Sequence, residues 1–465
     1  MLLRFLKYIN LNLDTEMNKI TIYLPIEIKV RELNSHVLLS KFASKLGMRI
    51  YIGSKDAIKR LLKKKNDKAG AIIVKGGMEM SKLLEIKGKI QKFIILDQEI
   101  SPSTVDYKKE IRSRVWPGSE KYIDNYYSIG QHAHEAGVDV FKNSSLNITK
   151  TGWPRIDLLR NEFKFLYKKK IEKIKKQNGN FILFSSDFGY NSTQKKKHAY
   201  ERIKNSKWDN ERNDLEHEMN WATNTLNEFR AYIEFFKQLD NDSSCPQIII
   251  RPHPSEDHEE WYKITKSFKK IKIIYEGDIE PWVYASSALL HRGCMSAINA
   301  YMAGIPIGYL RLQKDNVKKA LPYELSEHFD NIRDVIKFCK HNINKQPIPH
   351  KDYSKVFREY IHIEKKYASE IILEDLSKFK LFYEPPYQSR SKDKFYDILI
   401  NLKIILKKLF DLFKIEKKIA VAPQSQKMPG GVNAKEIKDI LVKLSQSHDF
   451  KVSQVFKDCV IIEAK

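Results

Sequence analysis

The chain has 465 residues, 42% of them hydrophobic, with a formal net charge of +25 and four cysteines. This length and apolar content predict a folded core of more than one domain and exclude an intrinsically disordered chain. The excess of basic residues favours polyanionic partners, such as phosphorylated substrates, nucleic acid or an anionic membrane face. Because the cysteines have no paired spacing, we expect a reducing cytoplasm and no zinc site. No run reaches the roughly 18 apolar residues that a membrane span needs.

The first part of the chain alternates short apolar strands with amphipathic helices. Strands are predicted at 19–25, 48–52, 70–74, 93–96, 126–130 and 147–150, and helices at 27–46, 56–64, 78–90 and 132–137. This alternation is typical of parallel βαβ units. We therefore predict one doubly wound domain over residues 18–160, followed by a hinge within 151–180.

A second α/β unit is predicted over residues 178–345. Its strands are expected at 181–185, 247–250, 271–275 and 305–309. Residues 191–225 are long and polar, and they form either a mobile lid or a helical insertion. Residues 226–239 form a helix after them.

The last third of the chain is predicted to be mainly helical. Residues 353–379 supply the helices of a segment at 350–382, and the segment 393–418 is a basic amphipathic helix. After a linker rich in Pro, Gly and Gln, Asn433 is predicted to cap a last helix that two strands follow. Residues 432–465 are thus a tail that forms either a small α+β module or a docking element.

Residues 245–310 carry the strongest indications of a binding site. Arg251-Pro-His253-Pro directly follows an apolar strand. An arginine binds phosphate through two parallel hydrogen bonds, and a histidine adds a donor or an acid. We therefore expect Arg251 and His253 to face an anion. The alternative for His253 is a structural histidine with all its hydrogen bonds inside the protein.

The loop that begins at His291 leads into a short helix that ends at Gly304. Ser296 is predicted to cap this helix, either as a plain cap or also as a phosphate contact. The helix N-terminus offers N–H groups and the positive end of the helix dipole to an anion. Gly293 would let the backbone approach a ligand, and His291 and Arg292 add donors.

Charged residues also follow two strands of the first domain. Ligands of open α/β sheets bind outside the carboxyl ends of strands, so Asp97 or Glu99 could deprotonate an acceptor hydroxyl or attack a sugar carbon. The alternative is an N-cap or a solvated turn. Glu27, Arg31 and Glu32 follow the first strand and are predicted on the acceptor side, with an ion-paired helix start as the alternative.

Five segments resemble surface carbohydrate biosynthesis proteins, which have the GT-B glycosyltransferase architecture. The segments are LPIEIKVREL (24–33), ILDQEIS (95–101), TGWPRIDLLR (151–160), RPHPSED (251–257) and HRGCMSAINAYMAGIP (291–306). The resemblance implies an α/β fold in which two Rossmann-like parallel-sheet domains face a cleft. A C-terminal helical segment and the small α+β tail would follow them.

The arrangement is also similar to bacterial transferases that use CMP-activated acidic sugars, such as Kdo and sialic acid transferases. Those enzymes share an acidic motif, an HP motif and a serine pair. The resemblance implies that Asp97 or Glu99 is the catalytic base or nucleophile, and that His253 assists departure of the CMP phosphate. The residues that would bind the donor are Arg251, His253, Ser286, Ser287, His291, Arg292, Gly293, Ser296, Ala297 and Asn299.

The implied function is transfer of a Kdo-type or nonulosonate-type sugar from CMP to a glycan acceptor in capsule or lipopolysaccharide biosynthesis. No cofactor is expected, and because a single phosphate needs little charge neutralisation, we predict metal independence. The expected partners are a nucleotide sugar, a glycan or lipid-linked glycan, and the inner membrane through 393–418, with no nucleic acid. A CDP-polyol phosphotransferase and a non-catalytic glycan-assembly protein remain open alternatives.

Overall fold

The computed structural model describes residues 20–65, 68–98, 106–205, 215–312, 320–344, 352–379, 381, 385–413, 427–445 and 449–465. The described strands are Thr21–Ile26 (β1), Arg49–Ser54 (β2), Ala71–Val74 (β3), Lys92–Leu96 (β4), Asn125–Ser128 (β5), Asn147–Lys150 (β6), Ile182–Ser185 (β7), Ile248–Arg251 (β8), Ile271–Ile273 (β9), Ala288–His291 (β10), Ile307–Leu310 (β11), Glu327–Phe329 (β12), Phe450–Phe456 (β13) and Cys459–Ala464 (β14).

The described α-helices are Lys29–Lys45, Lys55–Lys63, Met80–Lys87, Tyr107–Arg114, Gln131–Val140, Pro154–Asp157, Lys168–Asn178, Thr193–Lys204, Leu215–Asn241, His258–Thr265, Glu280–Ala285, Ser296–Ala303, Leu321–Glu324, Ile332–Ile343, Ser354–Tyr360, Ala368–Ser377, Ser391–Phe413 and Ala434–Ser445. Two 3-10 helices lie at Glu120–Tyr122 and Asn161–Tyr167. The polar stretch 191–225 is thus mostly helical where it is described, over Thr193–Lys204 and from Leu215 onward, as one of its two predicted alternatives states.

The strands form two sheets whose central strands are buried on both faces. The first has the order β13-β14-β2-β1-β3-β4-β5-β6 and the second β12-β11-β10-β7-β8-β9. All neighbours in the second sheet are parallel, as are those from β2 to β6 in the first. Strands covered on both faces are apolar throughout, which explains the short runs of Ile, Leu and Val. The predicted α/β class with two Rossmann-like domains is confirmed.

The segment after the second sheet returns to the first domain. The backbone N–H of His362 donates to the carbonyl of Ile129 at 2.7 Å, and Gly152, with φ 74°, lies where a Cβ atom would meet the carbonyl of His362 at 2.5 Å. This contact interrupts the helix predicted at 353–379. The first observed helix of this segment ends at Tyr360, and a second helix begins at Ala368.

The C-terminal tail belongs to the first domain, because its two strands extend the first sheet. β14 pairs antiparallel with β2, in register from Cys459 opposite Gly53 to Ile462 opposite Ile50. The tail therefore extends the first sheet and covers an edge that would otherwise offer unpaired backbone groups. Asn433 caps the last helix, as predicted, by accepting the N–H of Glu436 at 2.9 Å.

The amphipathic helix predicted at 393–418 is described over Ser391–Phe413, and its remaining residues lie outside the described part. Among the helices that the structure describes, none combines the length and apolar character needed to cross a membrane.

Candidate functional site

The carboxyl ends of the two sheets face each other across a cleft of about 340 Å³. The first domain contributes Val30, Arg31, Gln98, Trp153 and Arg155 to its lining. The second domain contributes Ser185, Ser186, Asp187, Arg251, Pro252, His253, Pro254, Tyr275, Gly277, Ile279, Cys294, Met295, Ser296 and Asn299. Most of these residues follow strand ends, which is where open α/β sheets bind ligands. The lining holds three arginines and one aspartate, so an anionic ligand is favoured.

Arg31 and His253 meet across this cleft. The first turn of helix Lys29–Lys45 carries Arg31, whose Nη2 lies 2.5 Å from Nε2 of His253. A guanidinium donates only, so Nε2 accepts this bond, while Nδ1 lies 2.6 Å from Ser255 Oγ and 3.1 Å from the Ser255 backbone N. Desolvation, followed by the charge of Arg31, holds the pKa of His253 well below its usual range, so the imidazole is neutral.

A buried carboxylate fixes the loop that carries His253. Glu256 accepts hydrogen bonds from the Phe188 backbone N–H at 2.7 Å, from the Trp261 indole N–H at 2.7 Å and from the Ser186 hydroxyl. The His253 backbone N–H donates to the same Ser186 hydroxyl at 3.2 Å. Burial raises the pKa of Glu256, but these donors favour its charged form. The position of His253 is thus set by the core of the second domain.

Arg251 stabilises the wall of the cleft through contacts inside the second domain. Its guanidinium donates to the carbonyls of Glu276 at 2.7 Å and Gly277 at 2.9 Å, and it lies over the ring of Trp282. Burial lowers the pKa of Arg251 to about 10. Both Nη groups therefore hold a protein loop, whereas the sequence predicted that they face an anion.

Two buried polar atoms of the lining have no hydrogen-bond partner among the described residues. They are Oγ of Ser296 and Nε1 of Trp153. Ser296 is the first residue of helix Ser296–Ala303, whose cap position is taken by Met295, so the predicted capping role of Ser296 is wrong. Buried polar atoms are almost always satisfied in proteins. An unpartnered hydroxyl at a helix N-terminus suits a ligand oxygen.

The serine pair lies away from the cleft, contrary to its predicted role. Ser286 ends helix Glu280–Ala285 and donates to the carbonyl of Val283 at 2.9 Å, while the Ser287 N–H donates to that of Phe181. Both residues precede β10, at the amino end of the sheet. Because a parallel sheet presents its carboxyl ends to the cleft, the residues that could line it here follow β10.

Four other predicted donor-binding residues support the cleft without lining it. His291 is fully buried, accepts the Gly293 N–H at Nδ1 and donates to Ser326 Oγ at 2.9 Å. Arg292 forms a two-point ion pair with Glu228 and donates to the carbonyl of Asp187. Gly293 turns the chain at φ 125°, and Ala297 is fully buried. Of the predicted helix residues, Ser296 and Asn299 reach the lining.

Asp97 and Gln98, the first two residues of the predicted acidic motif, point in different directions. Asp97 is 1% exposed, accepts the hydroxyl of Tyr126 and lies 3.4 Å from Nε of Arg114, so its carboxylate is directed into the first domain. Gln98 lines the cleft in its place. Glu99 lies outside the described residues, and its catalytic role stays a prediction.

Glu27 and Glu32 form an ion-paired helix start, the second of the two predicted alternatives. Glu32 accepts the backbone N–H groups of Glu27 at 2.9 Å and Ile28 at 3.1 Å. Burial would raise the pKa of Glu27, but Lys75 and Lys55 outweigh it and lower the pKa to about 2. Of the three residues predicted on the acceptor side, Arg31 reaches the cleft.

The acidic pair Asp240-Asn-Asp242 has a structural role. Asp240 accepts the backbone N–H groups of Lys269, Lys270 and Ile271 at 2.7–3.1 Å. Within the described ranges, no group of three or more His, Cys, Asp or Glu side chains is arranged to hold a metal ion. Metal independence stays a prediction.

A second cavity of about 510 Å³ adjoins the cleft, and Val30 and Gly277 line both. Its outer wall is the tail helix Ala434–Ser445, which the sequence did not connect with the site. Lys29 fixes that wall through the carbonyl of Pro429 at 2.9 Å and the carboxylate of Glu436 at 2.7 Å. The lining contains charged and amide side chains as well as apolar ones, which suits a ligand rich in hydroxyl groups.

Sequence reasoning also missed several lining residues. Trp153 and Arg155 lie in the recognised segment TGWPRIDLLR but were assigned to the hinge, and Ser186 and Asp187 directly follow β7. The rule that ligands bind beyond the carboxyl ends of strands applies to β7 as it does to β8, so it would have found this second pair.

Comparisons with known proteins find similarity in structure alone. No protein-family model and no curated protein sequence matches the chain. The UDP-GlcNAc 2-epimerase of Methanocaldococcus jannaschii is 14% identical with a TM-score of 0.46, covering 78% of this chain and 100% of its own. The S. aureus MnaA–UDP structure is 12% identical with a TM-score of 0.44, and the match covers 80% of this chain and 99% of the MnaA chain. The structure of the wall teichoic acid polymerase TagF with CDPG is 12% identical with a TM-score of 0.40, and the match covers 78% of this chain and 89% of the TagF chain. Such low scores assign no activity to this chain.

Proposed function

We propose that this chain is a glycosyltransferase of surface-polysaccharide biosynthesis that takes an acidic ulosonic sugar from a CMP-activated donor. The observation that carries the proposal is the convergence of Arg31, His253 and the helix headed by Ser296 on one cleft. A guanidinium, an imidazole and a helix N-terminus together suit one phosphate group. The fixed loop of His253 keeps these donors preorganised, which is how charge on a departing phosphate is stabilised.

The donor and the acceptor would occupy different parts of the cleft. The CMP phosphate lies beyond β8 and β10, against Arg31, His253 and Ser296. The acceptor glycan enters through the second cavity, between helix Lys29–Lys45 and the tail helix, where the shared residues Val30 and Gly277 mark the passage. The transferred sugar would then sit between the two cavities.

Two carboxylates remain candidates for the proton transfer. Asp97 is removed from the candidates because Tyr126 and Arg114 engage it away from the cleft. Glu99 keeps its predicted role as base or nucleophile. Asp187 is the one carboxylate among the described lining residues and is the alternative base.

The enclosed carboxylate of Asp97 also favours a second candidate function, a non-catalytic protein of glycan assembly. Such a protein would retain nucleotide binding through the same cleft but lack turnover. The two candidates therefore differ in chemistry and agree in binding.

Thermal denaturation with CMP, CDP, UDP and GDP tests the proposal. CMP is expected to raise the melting temperature most, and Arg31→Ala or His253→Ala to remove that increase. The matched control is Arg311→Ala, which changes an arginine paired with Asp330 outside the cleft. Stabilisation by UDP or GDP in place of CMP would contradict the donor. CMP binding without release of CMP from any CMP-ulosonic acid would support the non-catalytic candidate.

A further inference from the structure

The helix Ser391–Phe413 presents an apolar stripe to solvent. The side chains of Phe395, Ile398, Leu399, Leu402, Ile405 and Leu406 are 45–62% exposed. Their spacing of three and four residues places them on one face of the helix. Soluble surfaces rarely expose a contiguous apolar patch of this kind unless it binds something.

The start of this helix is fixed to the first domain. Asp393 is fully buried, 2.6 Å from Lys64 Nζ, and it accepts the Tyr387 hydroxyl at 2.8 Å. Asp397 pairs with Arg60 at 2.6 Å and accepts the Lys457 backbone N–H at 2.8 Å. These contacts neutralise two of the three aspartates of the helix and hold its orientation.

The same contacts show where the helix leads. Its first turn lies at Lys64, the end of helix Lys55–Lys63, and the Lys457 side chain reaches Asn401. Lys457 belongs to the turn beside Gly53, at the carboxyl end of β2. The helix therefore runs toward the sheet edge at which the cleft opens, and the apolar stripe continues in that direction.

We propose that this stripe docks on an anionic lipid bilayer and holds the open edge of the first domain against it. The helix carries five lysines, and by helical periodicity the exposed Lys392 and Lys394 fall on either side of the stripe. An apolar face bordered by lysines suits the headgroup boundary of a bilayer that contains acidic lipids. This inference goes beyond the proposed chemistry, because it holds for any nucleotide in the cleft.

Co-sedimentation with vesicles tests it, with the full chain and vesicles of phosphatidylcholine with or without phosphatidylglycerol. The chain is expected to bind the mixed vesicles, and less at high salt. Replacing three stripe residues, Ile398→Asp, Leu402→Asp and Ile405→Asp, should reduce partitioning by at least about tenfold. The control carries the same charge change at three other exposed apolar positions, Leu46→Asp, Leu84→Asp and Val138→Asp, and should bind as the parent does.

Two results would overturn the proposal. One is unchanged vesicle binding by the stripe variant. The other is a result in which neither protein binds vesicles, and light scattering finds the parent as a dimer and the stripe variant as a monomer. The stripe would then bind a second copy of the chain. CMP should raise the melting temperature of both variants as it does that of the parent, which would show that they are folded. Vesicle binding therefore tests the stripe independently of the nucleotide donor.

Discussion

Arg31 of the first domain lies 2.5 Å from His253 of the second, and this bond joins the two halves of the cleft. Arg31 lies in the first turn of the helix that follows β1 of the first sheet, and His253 lies in the loop that follows β8 of the second sheet. A ligand oxygen that enters between them would receive the guanidinium donors that His253 now accepts. We therefore expect this bond to break when an anionic ligand enters the cleft.

Removing either partner is expected to weaken nucleotide binding. A hydrogen bond to a charged group contributes about 1.5–3 kcal/mol, so Arg31→Ala should weaken CMP binding roughly 10- to 150-fold. Titration calorimetry measures the change. Arg311→Ala serves as control, and equal affinities of the Arg31 variant and this control would show that the phosphate lies elsewhere.

Substitutions of the two acidic residues of the ILDQEIS segment are expected to have different effects, on stability at Asp97 and on turnover at Glu99. Asp97→Asn removes the buried charge that lies 3.4 Å from Nε of Arg114, and loss of one member of a buried ion pair costs about 3–5 kcal/mol of unfolding free energy. Glu99→Gln should reduce turnover about 10²- to 10⁴-fold if Glu99 is the general base. Urea unfolding and release of CMP measure the two effects. An active, stable Glu99→Gln enzyme would transfer the role to Asp187.

Stability is expected to fall in mild acid, in part through His291. Burial lowers the pKa of His291 from 6.5 to about 3, so below pH 6.5 the unfolded chain binds a proton that the native state does not. The unfolding free energy should then decrease by up to about 1.4 kcal/mol per pH unit as the pH falls toward 3. His291→Gln should flatten this slope, and the exposed-site control His217→Gln should not. Parallel slopes for all three proteins would contradict the assignment.

Transfer should proceed without a divalent cation. In the proposed reaction the cleft would offer arginine, imidazole and a helix N-terminus to one phosphate, and these would supply the charge stabilisation that a metal gives in other transferases. Turnover of a CMP-sugar donor in excess EDTA is expected to equal that in magnesium. Activity that EDTA abolishes and magnesium restores would contradict this prediction.

The tail should unfold together with the first domain. Ile462 is fully buried in β14, opposite Ile50 of β2, so Ile462→Ala should cost about 2–5 kcal/mol. Urea unfolding followed by circular dichroism measures it, with Leu84→Ala, at an exposed position, as control. An added transition at low urea, with the main one unmoved, would indicate an independent tail.

Local patterns predicted most of the elements and part of the cleft. Apolar runs located the strands, and residues that follow strand ends, such as Arg31 and His253, came together because parallel sheets align their carboxyl ends. The same rule excludes Ser286, which precedes its strand. At Asp97 the deciding factor is which of two consecutive side chains turns inward, and the buried partners Tyr126 and Arg114 settle that.

Long-range partners explain the remaining differences. His291 and Arg292 have the chemistry of phosphate ligands, but Ser326 and Glu228 engage them, and neither partner is near in sequence. The pairing of β14 with β2 likewise joins the two ends of the described chain. Residue types indicate what a side chain can bind, whereas the fold determines which partner reaches it first.

The pairing of β14 with β2 also affects how the protein is made. The first sheet contains both Thr21 and Ala464, so during synthesis its early strands leave the ribosome long before their last neighbour exists. Until then β2 remains an open edge beside nascent chains, a form prone to association. Such distant contacts also slow folding. We therefore expect the second domain to fold first, and the first domain to depend on chaperones until its last strand arrives.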